Sequence, residues 1–402
     1  MLVDVVIVGA GPAGCAAAIE LRRAGRSVVV LDKATFPRDK CCGDGLTTLA
    51  LRELESLGLQ PAGVRSWIGV DGAWLRSPSG RAVHVPLPDG PGLYAAVAAR
   101  RDLDAALVDV ARASGADVRD GVGFTGLAQR PDHVDVETDG LGTLRCRYVV
   151  AADGMWSPVR KAAGAAVPGY RGEWHAFRQY VSGVTGAAAR QLIVWFEPDL
   201  LPGYAWSFPL PGGRANVGFG VLREQGRRVQ DMAELWRDLL ERPHVVEALG
   251  PGHVMEGRHT AWPIPARVDD ISLSRGRVLF TGDAAAATDV MTGEGIGQAL
   301  VTGRLAASAI AAGGALQPDV VADRYERDVE AHLFADHRMS KRLGRVLRHP
   351  LGARGAIRVV GASGEWGRRN FARWMFEDEP RAIVTSPGRW HQQILSRPGA
   401  YV

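Results

Sequence analysis

Lysine is nearly missing from this chain, cysteine is sparse, and no apolar run reaches the roughly 18 residues that a membrane-crossing helix needs. Each shortage excludes something. The cysteines Cys15, Cys41, Cys42 and Cys146 show neither the paired spacing of a zinc site nor the density of a disulfide scaffold, so no metal is expected and a reducing compartment is. The apolar opening Leu2–Val8 runs directly into glycines, so it reads as a strand and not as a signal peptide, and a cytoplasmic protein is expected. With lysine only at Lys33, Lys40, Lys161 and Lys341, the net charge of +4 comes from arginine. Spread over 402 residues it is too small to argue for nucleic acid. The cations do gather late, at Arg338, Lys341, Arg342, Arg345 and Arg348, then Arg354, Arg358, Arg368 and Arg369. Such a run is either a solvated helix face or a peripheral contact for anionic lipid headgroups.

What is present is the balance of a globular protein, 46% hydrophobic and 23% charged, long enough for two domains and a tail. Leu2–Val8 and Ser27–Leu31 read as buried strands around a helical run at Cys15–Ala24, a βαβ unit. Helical spacing returns at Leu46–Leu57 and Leu103–Ala113, and further buried strands are expected at Arg147–Ala152 and Arg277–Thr281. Between Trp67 and Leu87 a hairpin is expected, and Glu173 to Pro265 reads as an antiparallel sheet. The expected fold class is therefore α/β, a Rossmann-type nucleotide-binding domain with an inserted antiparallel sheet and a helical C-terminal region. Its segments would be 1–66, 88–172 and 273–325 for the nucleotide domain, 67–87 and 173–272 for the substrate domain, and 326–402 for the helical region.

Gly9-Ala10-Gly11-Pro12-Ala13-Gly14 sits between a strand and a helix, and Asp32 closes the next strand. In that setting Gly9 permits the turn, Gly11 lets a pyrophosphate approach the backbone, and Gly14 lets helix and strand pack closely. The helix start offers N–H donors and partial positive charge to phosphates, while Asp32 can accept ribose hydroxyls and repels a 2′-phosphate. These residues alone do not separate NAD from FAD.

Asp153-Gly154-Met155-Trp156-Ser157-Pro158-Val159-Arg160 and Gly282-Asp283-Ala284-Ala285 resemble the second and third signatures of the flavoprotein hydroxylase and reductase superfamily. The resemblance implies FAD, with Asp283 on the ribityl chain and Gly293, Gly295 and Gly297 against the flavin ring. The loop Ala34 to Gly45, containing Lys40-Cys41-Cys42-Gly43-Asp44, resembles that of the geranylgeranyl reductase family. So do Gly203-Tyr204-Ala205-Trp206-Ser207-Phe208-Pro209 with Asn216-Val217-Gly218, and Thr292-Gly293-Glu294-Gly295-Ile296. Together these matches span Leu2 to Leu305, with Cys41, Ala286 and Val290 departing from the family pattern. The resemblance implies that Lys33, Arg38, Gly43 and Arg100 join the glycine turn at FAD. It also implies that Cys42 and Asp44 stand at the reacting centre, and that Tyr204, Trp206, Phe208 and Pro209 meet the substrate.

Reduction of an isoprenoid double bond needs hydride from flavin N5, a proton from a nearby acid and a dry apolar pocket. Alternation puts Tyr204, Trp206 and Phe208 on one strand face, which either lines a slot for an isoprenoid chain or packs a core. Cys42 is likewise either a participant or a small buried residue in a tight loop. The expected function is FAD-dependent reduction of a prenyl diphosphate, prenylated quinone or lipid. NAD(P)H or another reductant would bind transiently, because no second glycine fingerprint is present. The alternative is an FAD-dependent monooxygenase of the same fold acting on a hydrophobic or aromatic small molecule.

Overall fold

The computed structural model describes residues 2–223, 229–314, 317–394 and 396–402. Residues 224–228, within the expected substrate domain, lie outside the described residues.

Val5, Val6, Ile7 and Val30 are wholly buried, and these β-branched residues form the parallel centre of an eight-stranded sheet. The strand Leu2–Val8 lies between Val28–Asp32 and Gly142–Ala151, parallel to both, and Asp117–Asp120 and Val278–Phe280 extend the sheet on either side. A β-meander of Phe124–Gln129 and Val134–Thr138, not anticipated from the sequence, pairs antiparallel with the start of Gly142–Ala151. These short strands carry polar alternation on an exposed edge, which weakens their signal.

The first helix, Pro12–Arg23, begins three residues before the expected Cys15, with Pro12 at its first turn. The helix expected from Leu46 starts at Thr48 because Thr47 caps it, its hydroxyl accepting from the Ala50 N–H. The long helix Ile296–Gly313 crosses the first helix at Gly303, where a Cβ would stand 2.1 Å from the Ala13 carbonyl oxygen. That close crossing holds the end of the chain's second half on the glycine turn.

A seven-stranded sheet runs in the order Val254–Ile264, Trp174–Ser182, Arg214–Leu222, Tyr204–Leu210, Leu192–Trp195, Gly72–Arg76, Ala82–Pro86. The expected hairpin is there, and its strand Gly72–Arg76 joins the sheet parallel to Leu192–Trp195, the one parallel pair in it. Behind one face, Met232, Trp236 and Leu239 of the helix Val229–Glu241 bury against Phe177, Val217 and Phe219. The other face looks toward the helices Ala335–Leu347, Pro350–Ala362 and Gly364–Met375. The chain then returns to the nucleotide-binding part, where Ala400 bridges to Leu93. No helix among the described residues is long and apolar enough to cross a membrane.

Candidate active site

One cavity of about 1060 Å³ runs from the glycine turn to the C-terminal helices. At its first end, Gly9 and Gly14 are required by the protein's own packing. A Cβ on Gly9, whose φ is +103°, would lie 2.2 Å from the Ala152 oxygen, and one on Gly14 would lie 1.8 Å from the Gly9 oxygen. Gly11 differs. The nearest atoms to its Cβ position are guanidinium nitrogens, Arg38 Nη2 at 3.6 Å and Arg100 Nη2 at 4.0 Å. Nothing in the fold itself demands a glycine there, so the empty position is available to a ligand, and what faces it is cationic. Asp104 anchors both arginines, meeting Arg100 at two points and Arg38 Nη1 at 2.8 Å. Burial alone would raise the Asp104 carboxyl, but Arg100 and Arg38 hold it below the usual carboxylate range. One carboxylate against two guanidiniums leaves a net positive charge at the helix start, which is what a diphosphate needs. Asp32 accepts from the N–H groups of Ala10 and Ala34, both at 2.9 Å, so it ties the turn to the end of its strand while lining the cavity beside Lys33.

The loop from Arg38 to Gly45 passes over the cavity and is clamped to the second sheet. Arg178 donates to Asp39 and to the Lys40 carbonyl, and Asn216 donates to the Cys42 carbonyl at 2.8 Å. Asp44 is fully buried with φ +67°, a left-handed conformation that a non-glycine residue holds only when its surroundings fix it. What fixes it are three donors to its carboxylate: Tyr180 Oη at 2.8 Å, Asn216 Nδ2 at 2.7 Å and the Arg100 N–H at 3.2 Å. Burial still pushes this carboxyl up to about 6. Cys42 lines the cavity, and burial pushes its thiol up to about 11, so it stands there protonated.

On the opposite wall, Asp153 and Gly154 reach the cavity. Asp153 Oδ1 accepts from the Ser157 hydroxyl at 2.6 Å and Oδ2 from the Val159 N–H at 2.9 Å, so this carboxylate spends itself on capping the helix Pro158–Ala162. Asp283 pairs with Lys40 at 3.1 Å, which closes the loop across the cavity. Of the glycines expected at the flavin ring, Gly293, Gly295 and Ile296 beside them line the cavity. Gly297 does not. A Cβ there would lie 3.3 Å from the Ala50 nitrogen, so its smallness serves helix packing. Its N–H and that of Ile296 are already taken by Glu294 Oε1, at 3.0 and 2.9 Å. In the sequence Glu294 stands out only as part of its glycine motif, because a glutamate at a helix start reads as an ordinary cap.

Beyond the loop the cavity widens between the aromatic sheet face and the C-terminal helices. Tyr204, Trp206 and Phe208 all line it, their ring centroids stepping 6.1 Å from one to the next. Both readings of this stripe apply, since Phe208 also packs on Gly43 and Gly45. Trp206 is fixed by its indole donating to Asn216 at 3.1 Å and by lying where a Gly218 side chain would be. Pro209, on the other face of the strand, and Gly14 do not reach the cavity. The far wall is Leu343, Leu347, Ile357, Val360, Phe371 and Trp374, from the segment noted in the sequence only for its arginines. The signal was present in Leu343 and Leu347, then Ala353, Ile357 and Val360, an apolar stripe at helical spacing opposite the charges.

The model of the FAD binding domain family matches residues 2–332. A menaquinone reductase of Mycobacterium tuberculosis is 37% identical over 358 residues, covering 81% of each chain. A digeranylgeranylglycerophospholipid reductase of Methanopyrus kandleri is 31% identical over 313 residues, 75% of this chain and 79% of its own. Among solved structures, a geranylgeranyl bacteriochlorophyll reductase-like protein of Thermoplasma acidophilum superposes with a TM-score of 0.80 at 20% identity, covering 97% of this chain and 99% of that one. A variant of the halogenase PltM in complex with FAD gives 0.71 at 15% identity, over 96% and 85% of the two chains.

Proposed function

Because the chain belongs to the geranylgeranyl reductase family of FAD-dependent oxidoreductases, we propose that it reduces carbon–carbon double bonds in an isoprenoid chain carried by a prenylated quinone, a prenyl diphosphate or a lipid. The observation that carries this reading is the continuity of one cavity, from a cationic glycine turn suited to a diphosphate to an apolar chamber walled by aromatics and helices. Arg38 and Arg100 beside Gly11 would hold the FAD pyrophosphate, Asp32 the ribose, Asp283 the ribityl chain, and the Gly293–Ile296 turn the flavin edge. When reduced, FAD supplies hydride to one alkene carbon.

The protein's share is to orient the chain, exclude water and bring a proton. Trp206 and Phe208 on one side, and Ile357 and Phe371 on the other, line an apolar space suited to an isoprenoid chain. Asp44 is a positioning residue, since its carboxylate is taken up by Tyr180, Asn216 and Arg100, and Cys42 lines the chamber beside it. A monooxygenase would share the flavin-binding part, but a long apolar chamber suits prenyl chains better than a small aromatic substrate. NAD(P)H or another reductant is proposed to visit transiently.

Val346 and Ala356 of the helical wall line the chamber and are exposed to solvent, which supports an entry for substrate between these helices. On the same C-terminal helices Leu351, Val359 and Trp366 are 78%, 71% and 73% exposed, and Arg342, Arg345 and Arg358 are exposed as well. This surface supports peripheral contact with anionic lipid, from which a prenyl chain would enter without crossing water.

Anaerobic incubation of the flavin-loaded protein with dithionite and geranylgeranyl diphosphate, or with menaquinone whose ring is reoxidised to the quinone before weighing, tests the reading. Products heavier by two hydrogens per reduced bond are expected. Unchanged mass for every prenyl substrate overturns it.

A further inference from the structure

Behind the turn of residues 288–297, two carboxyl groups pair with one guanidinium, and a third carboxyl is partly buried on the turn itself. The side chains of Asp289, Glu377 and Arg381 are 4%, 8% and 2% exposed, and Glu294 stands beside them on the cavity wall. One cation does not balance three carboxylates removed from water, so the least well-supported of them is favoured to keep a proton. Hydrogen bonding decides where. Asp289 Oδ1 accepts from the N–H groups of Met291 and Thr292 and from the Thr292 hydroxyl, and Oδ2 from the Ser340 hydroxyl at 2.6 Å. With Arg381 Nε at 3.4 Å as well, Asp289 is the ionised member. Glu377 accepts from Thr47 and Gln298, both at 3.0 Å, and pairs with Arg381 at 3.3 Å. Glu294 receives both its donors on Oε1, and no described residue donates to Oε2.

We propose that Glu294, partly buried on the cavity wall with one carboxyl oxygen that no described residue engages, keeps a proton and passes it to the alkene. The direction of titration agrees. Burial first, then the charge of Glu377, pushes Glu294 up to about 8, while burial opposed by Arg381 leaves Glu377 at about 7. Asp289 faces the pair from the same loop, Arg381 from the C-terminal segment, Tyr204 from the second sheet and Cys42 from the clamped loop. The Tyr204 hydroxyl is engaged by the Thr292 carbonyl, so it fixes this turn against the substrate face.

The step balances. The alkene π bond breaks and its electron pair takes the Glu294 proton to form one C–H bond, hydride with its two electrons forms the other, and Glu294 regains a proton from solvent. The inference rests on the proposed reduction for its purpose, and its test does not need turnover. Midpoint potentials of the bound flavin between about pH 6 and pH 9 count the protons taken up with two electrons, because reduction adds negative charge that favours a protonated neighbour. Glu294→Gln should lose the extra proton that the unsubstituted protein takes up near pH 8, and should lose a protonated-carboxyl C=O band from the infrared spectrum at neutral pH. Glu377→Gln, away from the chamber, should move the titration of Glu294 to lower pH. Proton counts and carboxyl bands identical in all three proteins would overturn the proposal. No turnover of any prenyl substrate with the proton count as expected would instead sink the reductase reading alone.

Discussion

Arg100 and Asp104 stand one helical turn apart and meet at two points, Nε to Oδ1 and Nη2 to Oδ2, both at 2.8 Å. Because Arg38 shares the same carboxylate, Asp104 aims two guanidiniums at the open position beside Gly11. Asp104→Ala should leave buried Arg100 and partly buried Arg38 unbalanced, costing about 3 kcal/mol of stability and weakening flavin binding. Chemical denaturation and flavin fluorescence titration check both, and retention of full flavin affinity would count against the cradle.

The two kinds of glycine at the turn should separate in experiment. Gly14→Ala forces a Cβ against the Gly9 carbonyl and should lower the melting temperature of the flavin-free protein. Gly11→Ala meets nothing closer than 3.6 Å and should leave that melting temperature unchanged while reducing flavin affinity at least roughly tenfold, about 1.4 kcal/mol. Equal loss of stability in both variants would contradict the assignment of Gly11 to a ligand.

The parts that were legible in the sequence are those where local rules and function coincide. Gly9, Gly11, Gly14 and Asp32 announce themselves because a strand, a turn and a helix follow in the only order that uses them. Cys42, Tyr204 and Trp206 were legible through a family resemblance, and the fold brings them to one cavity. What stayed hidden depends on long-range packing. Nothing near Glu294 in the chain foretells Glu377, and nothing near Asp44 foretells Tyr180, which approaches from 136 residues away. The arginines of the C-terminal helices masked an apolar stripe on their inner side, because charge is conspicuous in a sequence and a facing cavity is not.

Asp44 should make stability depend on pH. Burial raises its carboxyl from 3.8 to about 6, so between those values the native state binds more protons than the unfolded chain. Its contribution to folding stability therefore falls as pH rises from about 4 to about 6 and is fully lost above that. Tyr180→Phe removes a donor to the ionised form, which should lower stability at neutral pH by about 1 kcal/mol and stretch the falling limb to higher pH. Denaturant midpoints across this range measure it; identical pH profiles for the two proteins would rule out the Tyr180 contact.

The exposed surface of the C-terminal helices should bind anionic vesicles. Replacing Leu351, Val359 and Trp366 together by serine should abolish co-sedimentation with phosphatidylserine vesicles, and added salt should weaken binding of the unsubstituted protein. Because these side chains are exposed, thermal stability should change by less than about 0.5 kcal/mol each. Vesicle binding that survives the triple substitution would move the contact elsewhere.

The central claim is that electrons held on the flavin leave it for an isoprenoid double bond with no oxygen required. Rapid mixing of the fully reduced, oxygen-free holoprotein with menaquinone is its most direct test. Expected is return of the oxidised-flavin absorbance under strict anaerobiosis, with one saturated bond formed per flavin. Flavin that stays reduced until oxygen is admitted, and then yields an oxygenated product, would contradict it.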